Sequence, residues 1–387
     1  PDKEDEDTGQ VDGGDNTDNA EEGFQAKVTN EGDAIQGGTL MVAMQKDDPF
    51  QGIFSYALYE DGYDADLMTF ANTSVFSVDG DFLLTNDDIA SFDVNEETKV
   101  VTVSIKKDVK WSDGEPLTID DLILPYHIIG HKDYTGVRYN SQLRNIVGIE
   151  EYHAGQTETI SGITKVDDYT YTLELKTISP GLYSGGDGLI TYAEPTHVIG
   201  SIPVAELVES DAVRKNPLSL APFVITKVVA GESVEYKANE HYWKGAPKLD
   251  GVIVKVVPSS TIAKALEAGE YDVTLGLGSA KYAEIKHLTN IDILAVPELY
   301  YSYLGFKVGK WNTETLEVNT DMENAKMGDA KLRQAMAYAL NVEEVTEVFY
   351  EGLRDRANAI IPPVFSSFHD ASLEGYTYDP EKSASLL

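Results

Sequence analysis

Apolar and polar residues alternate along 99–106 (KVVTVSIK), which predicts a strand with one buried face. Order is expected to begin with the Gly37-Gly38 turn into an apolar strand at 39–43. Residues 161–166 and 169–175 read as two strands around Asp167-Asp168. Residues 223–230 and 233–238 read as hairpin strands joined at Gly231-Glu232, and 251–257 as an apolar strand. A helix over 260–268 closes on Gly269 and feeds a strand at 271–275. Thr118-Ile119-Asp120-Asp121 predicts the capped start of a helix reaching Ile129, in which Pro125 predicts a kink or a late start. A short helix is expected over 204–213 and a glycine-rich loop over 180–188. A tyrosine-rich strand is expected over 299–306, and two helices over 331–340 and 342–351. Strands and helices alternate irregularly, so the fold class is mixed α/β, sheets with helices on their faces.

A chain of 387 residues is too long for one small core and should divide into domains. No run of 18 apolar residues occurs, so no membrane-spanning helix is expected. The absence of cysteine excludes disulfides and thiolate chemistry. A formal charge of −36 argues against nucleic acid and against adhesion to anionic lipid, because both would repel the chain. Part of that charge is local: residues 1–35 are acidic, glycine-containing and nearly free of apolar groups, which predicts a disordered tail.

Searches for catalytic chemistry return little. There is no GxSxG, Walker or HExxH pattern, and Gly276-Leu277-Gly278 lacks the third glycine of a dinucleotide loop. His127 and His131 stand at helical spacing without a placed third ligand, and read as structural or surface residues. Asp61, Asp64 and Asp66 lack the spacing and glycine of a calcium loop, and read as a solvated acidic loop. No cofactor and no metal are implied. The 22 tyrosines cluster, and tyrosine suits the wall of a binding cleft because it joins apolar area to a polar tip. Along 299–306, alternation puts Tyr300 and Ser302 on one side, Tyr301 and Tyr303 on the other.

Four blocks in order carry a family resemblance. They are 101–123 (VTVSIKKDVKWSDGEPLTIDDLI); Asn216-Pro217 with 239–247 (NEHYWKGAP); Tyr303-Leu304-Gly305-Phe306 followed by Leu332-Arg333-Gln334-Ala335 and Ala337-Tyr338-Ala339-Leu340-Asn341; and Tyr378-Asp379-Pro380-Glu381-Lys382. Over residues 37–387 the chain resembles the extracellular solute-binding proteins of family 5, which serve oligopeptide and nickel ABC importers. Ser219-Leu220-Ala221 departs from the family's G-[ST]-G, and 310–329 is a longer insert than usual.

The resemblance implies a type II periplasmic-binding-protein-like fold with two lobes, a hinge and an extra subdomain. The expected division is a tail (1–35), lobe I (36–70 and 190–298), the subdomain packed on it (71–189) and an incomplete lobe II (299–387). It also implies a non-enzymatic receptor that holds an extended oligopeptide through main-chain hydrogen bonds and delivers it to an ABC permease. The receptor would be a monomer on the outer face of a Gram-positive-type membrane, its acidic tail a spacer behind a lost lipid anchor. The chain is expected to be a fragment, the group that holds the peptide's amino terminus lying beyond Leu387. Positions matching the cleft are Phe50, Phe54 and Tyr56 in the 49–56 loop; Val273, Thr274, Gly276 and Gly278; and Tyr300, Tyr301 and Tyr303. The rival expectations are the same fold carrying a nickel chelate or an oligosaccharide, an extracellular glycan hydrolase with paired carboxylates, and a structural surface protein with no small ligand.

Overall fold

The computed structural model describes residues 33–275, 277–295, 299–315 and 317–387. These fall into two compact units, 33–277 and 278–387. Residues 278–295, placed by expectation in lobe I, cluster with the second unit. Residues 1–32 of the expected tail lie outside the described residues.

The first unit carries nine strands: β1 (Thr39–Gln45), β2 (Ala90–Asn95), β3 (Val100–Ile105), β4 (Ile163–Asp167), β5 (Thr170–Glu174), β6 (Phe223–Val229), β7 (Ser233–Ala238), β8 (Gly251–Val257) and β9 (Val273–Leu275). Five form a sheet in the order β6-β7-β8-β1-β9, and four form a second sheet in the order β2-β3-β5-β4. The first is mixed: the β6–β7 and β7–β8 pairs are antiparallel, whereas the β8–β1 and β1–β9 pairs are parallel. β1 has a strand on each side, and Val42, Ala43 and Met44 are each fully buried, as parallel strands covered on both faces require. The second sheet keeps the expected alternation. Val101, Val103 and Ile105 of β3 face a core with Tyr171 and Leu173 of β5 and with Leu122, Tyr126 and Ile129 of the Ile119–Gly130 helix.

That helix is continuous through Pro125. Proline lacks the N–H that would bond to the carbonyl four residues back, and a carbonyl left open there favours a break. Here the orphaned Asp121 carbonyl accepts the N–H of Glu194 at 2.9 Å, so the missing bond is supplied by a distant segment. The Asp121 carboxylate is buried as well. It accepts from the Thr118 N–H (2.9 Å), the Trp111 indole N–H (3.1 Å) and the Thr196 N–H (2.8 Å). One side chain therefore caps the helix, seats Trp111 and pins the 194–196 segment.

Two glycines show different needs. Gly269, after the Ile262–Glu267 helix, has φ +69° and open space where a Cβ would stand. Gly231, in the β6–β7 turn, has φ +71° and would place a Cβ 2.6 Å from the Pro49 Cβ. Gly269→Ala should cost about 1–2 kcal/mol from backbone strain alone. Gly231→Ala should cost about 1–3 kcal/mol more, because Pro49 must also move. Urea denaturation of both variants checks the order.

The expected helix over 204–213 is two short ones, Val204–Leu207 and Asp211–Arg214, interrupted at Ser210, whose extended backbone caps the second. The 180–188 loop opens as a short 3-10 helix, Pro180–Ser184. In the second unit, β10 (Gly309–Asn312) and β11 (Glu317–Thr320) form a hairpin within the insert. The helices Ala330–Ala339, Val342–Tyr350 and Pro380–Leu386 follow.

Candidate binding site

Among the described residues β9 lies at the edge of the five-stranded sheet, with β1 as its one paired strand. Its register is set by Asp272, whose N–H donates to the Met41 carbonyl at 2.8 Å and whose Oδ2 accepts the Met41 N–H at 2.8 Å. The Lys46 N–H donates to the Val257 carbonyl, so even residues of β1 bond to β8 and Ala43 bonds to β9; opposite Thr274 it engages Val273 and Leu275, and the Thr274 main chain turns away from β1. Parallel pairing of Ala43 with Thr274 puts Thr274 on the same sheet face as Gln45. Both carry a buried polar atom, Thr274 Oγ1 and Gln45 Oε1, with no partner among the described residues. Buried polar atoms normally find a partner, so two orphans at the carboxyl ends of adjacent parallel strands mark a place where a polar ligand can dock. Thr274 was expected here; Gln45 was not. Its sequence signal is a polar residue closing the apolar run LMVAM of β1 (TLMVAMQ).

The 49–59 loop follows β1. Asp64, fully buried, accepts the N–H of Gly52 (2.9 Å) and of Ile53 (3.0 Å). Burial raises its carboxyl above the usual range while those N–H groups pull it down. Asp61 caps the Gly62–Met68 helix and pairs with the buried Lys46 at 3.0 Å, and Lys46 lies 3.5 Å over the Tyr63 ring. This corrects the expectation of a solvated acidic loop: Asp61 and Asp64 are structural anchors. On the other side Arg214 donates to the Gln51 carbonyl, Ser55 Oγ–H donates to Glu194, and Tyr134 O–H donates to the Ala57 carbonyl.

Phe50 and Phe54 are 5% and 4% exposed, and their rings belong to the core with Val42, Met44, Leu67 and Val252. The loop turns at Gly52, φ +74°, where a Cβ would stand 3.6 Å from the Phe50 ring and 4.0 Å from the Phe54 ring. As ligand contacts they are corrected to core residues that support the loop from within. Tyr56 remains half-buried, its ring 5.9 Å from Tyr59 and 5.4 Å from Tyr192. Burial raises its hydroxyl pKa.

In the second unit, residues 299–308 form no strand, contrary to the expected strand over 299–306. The alternating pattern is present, but no described strand pairs with it. Tyr300 and Tyr303 are 84% and 81% exposed and Tyr301 is 45% exposed. Tyr301 and Tyr303 share a side, as alternation predicts, with ring centroids 6.1 Å apart. Both line a cavity of about 550 Å3 with Phe306, Arg333, Arg356 and Tyr376; Tyr300 does not. Arg333 donates to the Met327 and Gly328 carbonyls. Arg356 grips both oxygens of Glu343 (2.6 and 3.0 Å) and holds that carboxyl down at about 2. Gly278 has an ordinary extended backbone, φ −66°, ahead of the Ser279–Lys281 turn, and clusters with this unit, apart from Val273 and Thr274. Gly276 lies outside the described residues.

The His127 ring packs on Tyr152 at 5.3 Å, with burial lowering its pKa, and His131 packs on the same ring. Among the described residues no group of His, Cys, Asp and Glu could hold a metal.

The family model "Bacterial extracellular solute-binding proteins, family 5 Middle" matches residues 86–387. The chain belongs to that family. Among relatives, the oligopeptide-binding protein OppA of Lactococcus lactis subsp. lactis is 32% identical over 318 residues, covering 81% of this chain and 53% of the relative. Oligopeptide-binding protein AppA of Bacillus subtilis (strain 168) is 29% identical over 289 residues, covering 74% of this chain and 47% of the relative. The chain therefore spans about half the length of these curated family 5 proteins.

Among solved structures, lactococcal OppA complexed with an endogenous peptide in the closed conformation matches with TM-score 0.84 and 31% identity, over 91% of this chain and 66% of that one. AppA of Bacillus subtilis in complex with a nonapeptide matches with TM-score 0.70 and 24% identity, over 91% and 64%, which bears on fold alone. The fold is that of the type II periplasmic binding proteins, a mixed α/β architecture. Among the described residues no helix is long and apolar enough to cross a membrane.

Proposed function

We propose that this family 5 protein is a receptor that captures oligopeptides in extended form and delivers them to an ABC permease. The observation that carries the reading is the edge of β9, which has no second paired strand among the described residues, beside Thr274 Oγ1 and Gln45 Oε1, which have no partner among them. An edge strand pairs with any extended peptide through main-chain groups, which favours affinity over side-chain selectivity. Tyr56 and the Tyr301–Tyr303 pair supply apolar area with polar tips, suited to varied side chains. Named relatives bind peptides, which supports the same ligand class here.

In this reading the first unit is lobe I with the 71–189 subdomain, and the second unit opens lobe II. Closure of the lobes buries the peptide, and the permease reads the closed form. The protein is a monomer without cofactor, carries out no catalysis, and stands outside the cell membrane on a lipid anchor.

Calorimetry on the full-length protein tests the main-chain reading. Peptides of equal length and unrelated sequence should bind within about tenfold of one another. N-methylation at alternate residues should weaken binding about 10- to 100-fold, from about two lost hydrogen bonds. Equal affinity of methylated and unmethylated peptides would remove β9 pairing from the account.

A further inference from the structure

Glu194 is 4% exposed, and nothing in the binding scheme above uses its charge. Its place follows from Pro125 and Asp121. The Asp121 carbonyl that Pro125 leaves open takes the Glu194 N–H at 2.9 Å, and the Asp121 carboxylate takes the Thr196 N–H at 2.8 Å. So held, the Glu194 side chain reaches the turn that bears Tyr56 and Tyr59. Its Oε1 accepts Ser55 Oγ–H at 2.5 Å and the Ala57 N–H at 3.4 Å, and Ser55 and Ala57 are themselves buried. A cavity of about 10 Å3, room for about one water, is lined by Glu194 with Phe54 and Trp111.

The far end of the turn is held by a cation. Arg138 donates to the Tyr59 carbonyl and lies 4.1 Å over the Tyr59 ring. Tyr134 O–H donates to the Ala57 carbonyl between them. The charged and titratable groups that act on Glu194 are Arg138 and Tyr192; Tyr134 and Tyr126 act on Tyr192 in turn, and the Asp121 carbonyl takes the Glu194 N–H. Asp121 is engaged by Trp111, Thr118 and Thr196, and Tyr126 by Tyr171 and Ile190. Arg138 is the one cation in this set, and it is already committed to Tyr59.

We propose that Glu194 is a proton-linked positioning residue: its protonation state locks or loosens the 55–59 turn, and with it the affinity for ligand. The ligand half rests on the reading of the protein as a peptide receptor; the turn half does not. Burial pushes the Glu194 carboxyl up to about 7, against the opposing pull of Ser55, Ala57 and Arg138. A raised carboxyl favours the protonated folded form. The locked turn is therefore at full strength below about pH 4.5 and weakens as pH rises through about 7. Ionisation leaves a poorly balanced charge under the turn, which is relieved by admitting water and releasing Ser55 and Ala57.

Two measurements separate the halves. Hydrogen exchange on ligand-free protein, corrected for intrinsic rates, should show about tenfold loss of protection at residues 55–59 between pH 6 and 8, and Glu194→Gln should abolish that slope. Ser55→Ala removes a bond that favours the charged form, so it should shift the midpoint upward, which a purely structural role would not do. Peptide affinity of the wild type should fall about tenfold over the same interval and that of Glu194→Gln should be flat. Identical exchange profiles in wild type and Glu194→Gln overturn the proposal. Equal slopes of affinity in the two proteins overturn its ligand half while leaving the receptor reading intact. Absence of peptide binding at every pH sinks the receptor reading and the affinity linkage together, and the exchange data then judge the turn alone.

Discussion

Asp121→Ala should lower the stability of the first unit by about 3–5 kcal/mol, because it strands three donors around one buried carboxylate. The Trp111 indole N–H, 1% exposed with its residue, loses its acceptor inside the core. The Thr118 N–H loses the return bond of a capping box, and the Thr196 N–H loses the contact that fixes the 194–196 segment. Asp121→Asn retains one acceptor oxygen but puts an amide donor where an acceptor stood, so about half the loss should remain. The two units need not unfold together, so the probe must be local. Trp111 fluorescence during urea denaturation reports this core. A loss below about 1 kcal/mol would show that solvent or neighbouring carbonyls replace the carboxylate.

Asp64→Ala should cost about 2–4 kcal/mol and abolish ligand binding, the second-largest effect expected. It leaves the Gly52 and Ile53 N–H groups buried and unpaired. That turn seats the Phe50 and Phe54 rings, so the loss spreads into the core under β1 and β8. Asp64→Asn should be milder, at about 1–2 kcal/mol. One oxygen still serves one N–H, and the variant no longer carries a buried charge whose pKa burial has raised. Calorimetry with a peptide pool alongside thermal unfolding separates the two consequences. Full ligand affinity in a destabilised Asp64→Ala protein would detach the 49–59 loop from the site.

What the sequence disclosed was governed by local chemistry. The β6–β7 hairpin, β8, the capped helix after it and β9 are set by glycines, an acidic register residue and apolar runs, all close in sequence. Thr118 and Asp121 signalled a helix start for the same reason. The errors have non-local causes. Pro125 does not break its helix because the Glu194 N–H takes the open carbonyl, a contact no local pattern shows. Asp64 reads as solvated among Asp61 and Asp66 until the chain folds back and delivers Gly52 and Ile53 to it. The 299–306 stretch has a strand's alternation, but a strand also needs a partner ladder, which periodicity cannot supply. Phe50 and Phe54 were expected to face a ligand, yet which way a ring turns depends on the Gly52 bend and the space beneath it. Gln45 lies at the end of a strand that was itself legible, but its lack of a partner emerges only once β9 is placed beside β1.

The central claim is peptide capture by the main chain, and mass spectrometry of ligand released on denaturing the full-length protein tests it most directly. The account predicts a mixture of oligopeptides with varied side chains, replaceable by an added peptide pool with measurable heat. Release of no peptide, together with no heat on adding the pool, would contradict it.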